Sequence, residues 1–185
     1  MNLYEQHLPD DSRYALTDLA CELLAYFYAD REISEMPLEH PGIWRAYRMH
    51  RSSRIIKLLI ETSTLYRIAK WNMQAHEKEK EEQKDSVGTL TLEDGVEHSL
   101  SLHDACNKII HAKNIYLRVQ NSETKKPTEP TFIGKEFGTE GTTQGGKNWK
   151  AMIEITKFCD GLLRVEDSKD FEDISANQSG DDNSE

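Results

Sequence analysis

Apolar residues recur every three or four positions through most of the first half of the chain, which is the spacing of one helix face. This pattern predicts a first helix from about Asp11 to Ala29 and a longer second helix that begins near Pro41 and breaks near Arg51–Ser53. The stretch between them, residues 30–41, holds two prolines and is predicted to be a loop. The predicted buried face of the second helix comprises Trp44, Tyr47, Arg51, Ile55, Leu58, Leu59, Thr62, Leu65, Tyr66, Ala69 and Met73.

The second half of the chain mixes strand and helix signals. Two short alternating runs flank Asp94-Gly95, a dipeptide typical of a hairpin turn. Ser101 is predicted to cap a third helix that ends near Asn114, with Asp104 at the capping-box position. Further short strands are predicted at 115–120, with Ile115, Leu117 and Val119 on one side, and at 131–138.

Residues 148–165 carry two overlapping patterns. We predict a helix there, because Met152, Ile155, Phe158, Cys159, Leu162 and Leu163 recur at helical spacing. Trp149, Ala151, Ile153 and Ile155 also alternate, so a strand that becomes a helix stays open as an alternative.

These elements together predict a mainly α fold, a helical bundle with a small β-hairpin and strand accessory. The formal net charge is −10 and is unevenly distributed. Residues 166–185 contain eight acids and one lysine, a net charge of −7, whereas residues 1–165 carry 22 basic and 25 acidic residues, a net charge of −3. A segment with so few apolar groups does not offset the entropy cost of ordering. We therefore expect a single helical domain at 1–165 and a disordered acidic tail at 166–185.

Several classes of function have no support in the sequence. The three cysteines form no C-x-x-C pair and the glycines match no phosphate-binding motif, so neither a metal nor a cofactor is expected. No stretch approaches the roughly 18 consecutive apolar residues of a membrane span, and the N-terminus does not resemble a secretory signal. A cytoplasmic protein with no membrane contact is the expectation.

The helix predicted after Ser101 has two distinct sides. On a helical wheel His103, Asn107 and His111 are four residues apart and form one ridge, with Asp104 beside it. An imidazole next to a carboxamide has the groups that general acid–base catalysis needs. The same ridge is equally consistent with an ordinary solvated helix face. The opposite, apolar side is predicted to comprise Leu102, Ala105, Cys106 and Ile109, with Ile110 at its edge.

The stretch Cys106–Ala112, CNKIIHA, resembles the signature of the HEPN superfamily, the helical nucleotide-binding domains common in toxin–antitoxin and antiviral systems. Asn107 and His111 match the asparagine and the histidine of that signature at the usual spacing. The resemblance implies a helical bundle and metal-independent RNA cleavage, with His111 as the acid–base group and Asn107 orienting it or the substrate. It also implies a homodimer that brings two such faces together.

The sequence departs from that signature at one position. Catalytic members carry an arginine before the asparagine, where this chain has Cys106, and a cysteine cannot make the bidentate cationic contact that an arginine makes with a phosphate. Arg51 and Arg54 in the second helix are the candidate substitutes and the candidate RNA-binding residues. The charge of −3 over residues 1–165 is unlike that of a general nucleic-acid binder.

Two hypotheses follow. The first is a HEPN-like helical domain of an RNA-targeting toxin or antiviral-defence system, either active or catalytically degenerate, with RNA and a second copy of the chain as its partners. The second is a non-enzymatic helical module for protein interaction or regulation, in which the His103–Asn107–His111 ridge is a polar interface or is solvated.

Overall fold

The computed structural model describes residues 11–35, 41–74, 86–121 and 131–164. The predicted tail at 166–185, residues 36–40 of the predicted loop at 30–41 and residues 122–130 of the predicted loop at 121–130 lie outside these ranges, whereas residues 30–35 are helical and not a loop. The elements are, in chain order, α1 (Asp11–Glu35), α2 (Pro41–Gln74), β1 (Gly88–Leu92), β2 (Glu97–Leu100), α3 (Leu102–Ile110), β3 (Asn114–Asn121), β4 (Thr131–Thr142), β5 (Asn148–Glu154) and α4 (155–164).

All five strands belong to one antiparallel sheet with the strand order β2-β1-β5-β4-β3, so the prediction of a helical bundle with a small β accessory is wrong. The sheet has a buried inner face, which includes Phe137, Trp149, Ala151 and Ile153. On the opposite face Thr89 and Lys150 are exposed to solvent. The fold is therefore α+β, with helices packed on one side of a sheet.

Three phenylalanine rings join the helices to the inner face of the sheet. Phe137 of β4 lies 6.4 Å from Phe27 of α1 and 6.2 Å from Phe158 of α4, measured between ring centroids. The second contact is edge-on, at an interplanar angle of 85°, an arrangement that aromatic quadrupoles favour. Helix α2 packs against α1 and α3.

The glycines of β4 explain why the sheet was underestimated from sequence. Glycine is depleted in strands, yet in β4 Gly138 pairs with both Tyr116 of β3 and Met152 of β5, and Gly141 pairs with Trp149 of β5. A Cβ atom at 138 would lie 2.1 Å from the ring of Tyr116, and one at 141 would lie 2.5 Å from the ring of Trp149. Each glycine is thus covered by an aromatic side chain from the neighbouring strand, which supplies the apolar contact that glycine lacks.

Other local predictions have mixed outcomes. The hairpin turn at Asp94-Gly95 is confirmed, with Gly95 at φ +79° between β1 and β2. Residues 148–164 form a strand followed by a helix, so the helix prediction is wrong for β5 and the open alternative is correct. On β3, Ile115 and Leu117 pack against the core, but an irregularity in pairing after Leu117 leaves Val119 53% exposed.

The two long helices are more continuous than the sequence suggested. Helix α1 runs to Glu35 instead of ending at Ala29, and α2 passes through Ser52 and Ser53 without a break because both serines face solvent. The start of α2 at Pro41 is confirmed, and proline suits the first helical turn.

A buried ion pair holds the helical hairpin against the sheet. The Asp30 side chain of α1 is fully buried and accepts a hydrogen bond from Arg51 of α2, which is only 6% exposed. The other carboxylate oxygen of Asp30 accepts the backbone N–H of Ile133 in β4. One carboxylate therefore joins α1, α2 and β4.

Helix α3 is the connection between the two edges of the sheet. Strand β2 forms one edge and β3 the other, so the chain crosses four strand spacings, or about 19 Å, between them. The nine residues of α3 cover about 13.5 Å of that distance along the inner face. Its side facing the sheet must consequently be apolar.

Replacing Asp30 by alanine should destabilise the protein by about 3–5 kcal/mol, because it leaves the buried Arg51 charge and the Ile133 N–H without their acceptor. Urea unfolding followed by circular dichroism measures this. Glu22→Ala is the matched control, since it removes the partner of Arg54 in a half-exposed pair and should have a much smaller effect. Equal losses in the two variants would contradict a special role for Asp30.

Gly141→Ala should destabilise the fold by about 1–3 kcal/mol, because the new methyl group meets the buried Trp149 ring and, at 3.2 Å, the His111 carbonyl oxygen. Gly138→Ala is the comparison, since Tyr116 is 40% exposed and its ring can swing into solvent. Thermal unfolding of both variants tests the sheet directly. A larger loss for Gly138→Ala would contradict this packing.

Candidate functional site: helix α3 and the first turns of helix α2

The start of α3 is built as its sequence predicts. The Ser101 hydroxyl oxygen accepts the Asp104 backbone N–H at 3.1 Å, and the same hydroxyl donates to the Asp104 carboxylate at 2.8 Å. This cap satisfies one of the helix's first N–H groups and places an acid where the helix dipole favours it. The helix ends earlier than predicted, at Ile110, and His111 is its C-cap residue.

The apolar side of α3 is also confirmed. Leu102, Ala105, Cys106 and Ile109 are the buried residues of the helix. Cys106, at the position of the signature arginine, has no exposed surface and belongs to the hydrophobic core. A side chain at this position faces the interior of the protein.

The His103–Asn107–His111 ridge is only partly accessible. His103 and Asn107 are half-buried, whereas His111 and Asp104 are exposed. The His111 backbone N–H donates to the Asn107 carbonyl oxygen at 3.1 Å, an ordinary bond at the end of a helix. The structure therefore places His103 and Asn107 on the helix and His111 at its C-cap, and of these three residues only His111 is exposed.

The polar groups around the end of α3 fasten it to the sheet. The Lys113 N–H donates to the Glu140 carbonyl oxygen at 2.8 Å, and the Asn114 amide donates to the Glu140 carboxylate at 2.9 Å. The Lys108 ammonium lies 4.4 Å from the centroid of the Trp149 ring, within the range of a cation–π contact. The polar groups of Lys108, Lys113 and Asn114 thus stabilise the position of α3 on the sheet.

The two arginines proposed to bind RNA are engaged by carboxylates of α1. Arg51 is buried against Asp30, and Arg54 makes a bidentate contact with Glu22 at 2.7–2.9 Å. The hydrogen bonds from Arg54 to Glu22 raise the pKa of Arg54 above its usual value. Through these ion pairs, both arginines hold α1 against α2.

The first ten residues of α2 form a second candidate surface that the sequence analysis did not single out. In this 41–50 segment eight residues are exposed, and only Trp44 and Tyr47 are half-buried. Ile43 is 64% exposed and Met49 is 69% exposed. The sequence feature that could have pointed to this surface is its charge, since α2 contains no acid before Glu61.

Two aromatic side chains attach the 41–50 segment to the rest of the molecule. Tyr47 stacks on Tyr26 of α1 with ring centroids 6.5 Å apart. Burial, and then the nearby Asp30 charge, raise the pKa of Tyr47 well above its usual value. The Arg48 guanidinium lies 4.8 Å from the centroid of the Trp44 ring. One side of the segment is thus held in place and the other is open to solvent.

Neither a metal-binding cluster nor a membrane-spanning helix occurs in the part of the chain that the structure describes. There, no three His, Cys, Asp or Glu side chains gather in a way that would hold a metal ion. None of the helices in the same ranges is both long enough and apolar enough to cross a bilayer.

Comparisons with known proteins add no family assignment. No protein-family model matches the sequence, and no curated protein and no solved structure shows a significant match.

Restoring the signature arginine at position 106 should unfold the protein instead of creating an active site. Cys106→Arg places a guanidinium in the apolar core and should cost at least about 3 kcal/mol more than Cys106→Ala. Chemical denaturation of both variants, with an RNA-cleavage assay on any folded fraction, measures this. A stable Cys106→Arg protein would show that the position reaches solvent.

Proposed function

We propose that the protein is a non-enzymatic protein-interaction module that binds its partner through the 41–50 segment of α2. The observation that carries this proposal is the exposure of large aliphatic side chains there, with Ile43 and Met49 each about two-thirds exposed. Removing such side chains from water is the main driving force of protein association. The attachment of Tyr47 to Tyr26 means that little ordering entropy is lost when a partner binds.

The charges of α2 favour a protein partner over a nucleic acid. Five basic residues recur at steps of three from position 45 to 57, but Arg51, Arg54 and Lys57 are paired with Asp30, Glu22 and Glu61. Of the basic residues in the 41–50 segment, Arg48 lies over the Trp44 ring. Nucleic-acid affinity depends on several phosphate contacts by unengaged cations, and most of the cations of α2 are engaged. The exposed Arg45, close to exposed aliphatic side chains, suits a protein segment that carries both acids and apolar side chains.

The ribonuclease hypothesis has weaker support from the site. It rests on the exposed His111 and on Asn107 one turn before it, whereas the signature arginine position is buried as Cys106. With a buried cysteine at that position, the bidentate cationic contact that the signature arginine would make with a phosphate is missing. RNA targeting by a degenerate HEPN-like domain stays a separate hypothesis, which a cleavage assay tests.

We place this interaction in the cytoplasm. All three cysteines, Cys21, Cys106 and Cys159, are thiols in the structure. Proteins of a reducing compartment keep cysteines in this form, which supports a cytoplasmic location.

Peptides selected from a displayed random library on the full-length protein should be rich in acids and in aromatic or aliphatic residues. Their binding should weaken at least tenfold in Met49→Ser and in Arg45→Glu, because these changes remove the apolar contact and reverse the charge. Ile68→Ser and Arg67→Glu are matched controls at exposed positions further along the same helix. Fluorescence anisotropy measures each affinity, and equal effects in the controls would sink the proposal.

A labelled single-stranded RNA should survive incubation with the wild-type protein and with His111→Ala equally well, with or without a chelator. This follows because Cys106 supplies no phosphate contact. Gel analysis of the RNA gives the answer. Cleavage by wild type that disappears in His111→Ala would instead restore the ribonuclease hypothesis.

A further inference from the structure

We infer that the protein forms a two-fold symmetric dimer in which β3 pairs antiparallel with β3 of a second copy. The two sheets then join into one sheet of ten strands, five from each copy. This contact uses neither the 41–50 segment nor the His103–Asn107–His111 ridge. It is therefore independent of the proposed function and differs from the dimer that the HEPN resemblance implies.

The two edges of the sheet differ in a way that favours pairing at β3. Strand β2, at one edge, has only four residues, and its exposed Glu97 and His98 are polar groups of the kind that blunts a sheet edge. Strand β3, at the other edge, has eight residues and contains neither a proline nor an acid. Within the described ranges only β4 pairs with it. The open side of β3 therefore presents a row of unpaired backbone groups about 26 Å long.

The hydrogen bonds within the sheet determine which residues of β3 direct their backbone groups to this open side. The Glu154 N–H donates to the Val87 carbonyl oxygen at 2.9 Å, so the neighbouring Ile153 directs its own backbone groups away from β1 and towards β4. Ile153 therefore exchanges bonds with Phe137, its partner on β4. Phe137 then has none left for Leu117, its partner on β3, and the Leu117 N–H and C=O point to the open side.

A second hydrogen bond gives the same orientation for Val119. Its partner on β4 is Ile133, whose N–H donates to the Asp30 carboxylate and not to β3. The irregularity between the two pairs lies on β4, where four residue steps correspond to two steps on β3. Strand β3 itself alternates regularly, so Ile115, Leu117 and Val119 all direct their backbone groups outward.

The same three residues form an apolar stripe that complements itself. Ile115 and Leu117 are half-buried beside the core, and Val119 is 53% exposed. With the two-fold axis at Leu117, each Ile115 lies opposite Val119 of the other copy, and the two Leu117 side chains meet. Moving the axis to Arg118 would set two like charges opposite each other. Moving it one residue the other way would set Val119 opposite Lys113. Only the Leu117 register therefore gives every apolar residue of the stripe an apolar partner.

Charge and symmetry are compatible with this contact. Arg118, the one charged residue of β3, is bound to Glu136 of its own copy at 2.6 Å, and in the Leu117 register it lies opposite Tyr116. No like charges therefore oppose each other along the strand. Pairing uses β3 once in each copy and leaves only the short β2 edges open, so the assembly closes as a dimer and does not grow into a fibre.

Analytical ultracentrifugation of the full-length chain tests the dimer. The wild type should sediment at twice the 21.3 kDa of one chain when its concentration is about 100 µM, because a dimer with a lower Kd is then the main species. Val119→Lys should raise the Kd at least about tenfold, since it puts a charge into the apolar stripe of both copies. Val96→Lys is the matched control, because Val96 is 48% exposed between β1 and β2, at the other edge of the sheet. Circular dichroism establishes that both variants are folded.

Disulfide formation tests the register. Cys21→Ser first removes the exposed thiol, and Cys106 and Cys159 are buried. In that background Leu117→Cys should give a covalent dimer on a non-reducing gel, because Cα atoms of a hydrogen-bonded pair lie about 5.5 Å apart, within disulfide range. Val119→Cys alone should not, since its two copies lie about 13 Å apart along the strands in this register. An equal mixture of Val119→Cys and Ile115→Cys chains should cross-link.

Each of these measurements has a result that overturns the inference. A monomeric wild type would do so, and so would a dimer with the same Kd in Val119→Lys, because its contact would lie elsewhere. Cross-linking by Val119→Cys alone, with none by Leu117→Cys, would exclude the Leu117 register. Peptide binding to the 41–50 segment should be unchanged in Val119→Lys, so the dimer and the proposed function stand or fall separately.

Discussion

The buried ion pair between Asp30 and Arg51 determines how the helical hairpin meets the sheet. Two charges taken out of water are tolerated only when their partners are correctly placed, so the pair restricts the relative positions of α1 and α2. The Ile133 N–H adds β4 to the same carboxylate. Arg51 is also the first buried residue of α2, and the exposed 41–50 segment begins immediately before it. The surface proposed for binding is therefore held at a fixed position by the interior of the protein.

Helix α3 shows how a short motif takes its meaning from its location. The helix crosses the sheet from one edge to the other, so four of its nine residues must be apolar and buried. Cys106 is one of them, and its neighbour Asn107 falls on the half-buried flank because of helical geometry. The asparagine and histidine spacing of the HEPN signature fits this crossover helix without any need for catalysis. A resemblance of seven residues is thus compatible with a structural role for most of them.

The basic character of α2 is divided between two uses. Its middle cations neutralise carboxylates of α1 and of α2 itself, which stabilises the hairpin, whereas the cations of its first turns lie beside exposed aliphatic side chains. The residues that hold the hairpin together and the surface proposed for binding therefore lie on different turns of a single helix.

Local signals determined several features from the sequence alone: the start of α2 at Pro41, the Ser101 cap, the apolar side of α3 and the turn at Asp94-Gly95. Each depends on residues within a few positions of one another, so periodicity and turn chemistry suffice to predict it. Only the tertiary structure decided that a glycine-containing stretch becomes a twelve-residue strand, because Tyr116 and Trp149 arrive from other strands to cover its glycines. It likewise decided that Asp30 and Arg51 are buried, since their partners lie 21 and 103 positions away along the chain. Long-range pairing of this kind leaves no local pattern, which is why the helices and most of the short strands were predicted but their assembly into one five-stranded sheet was not.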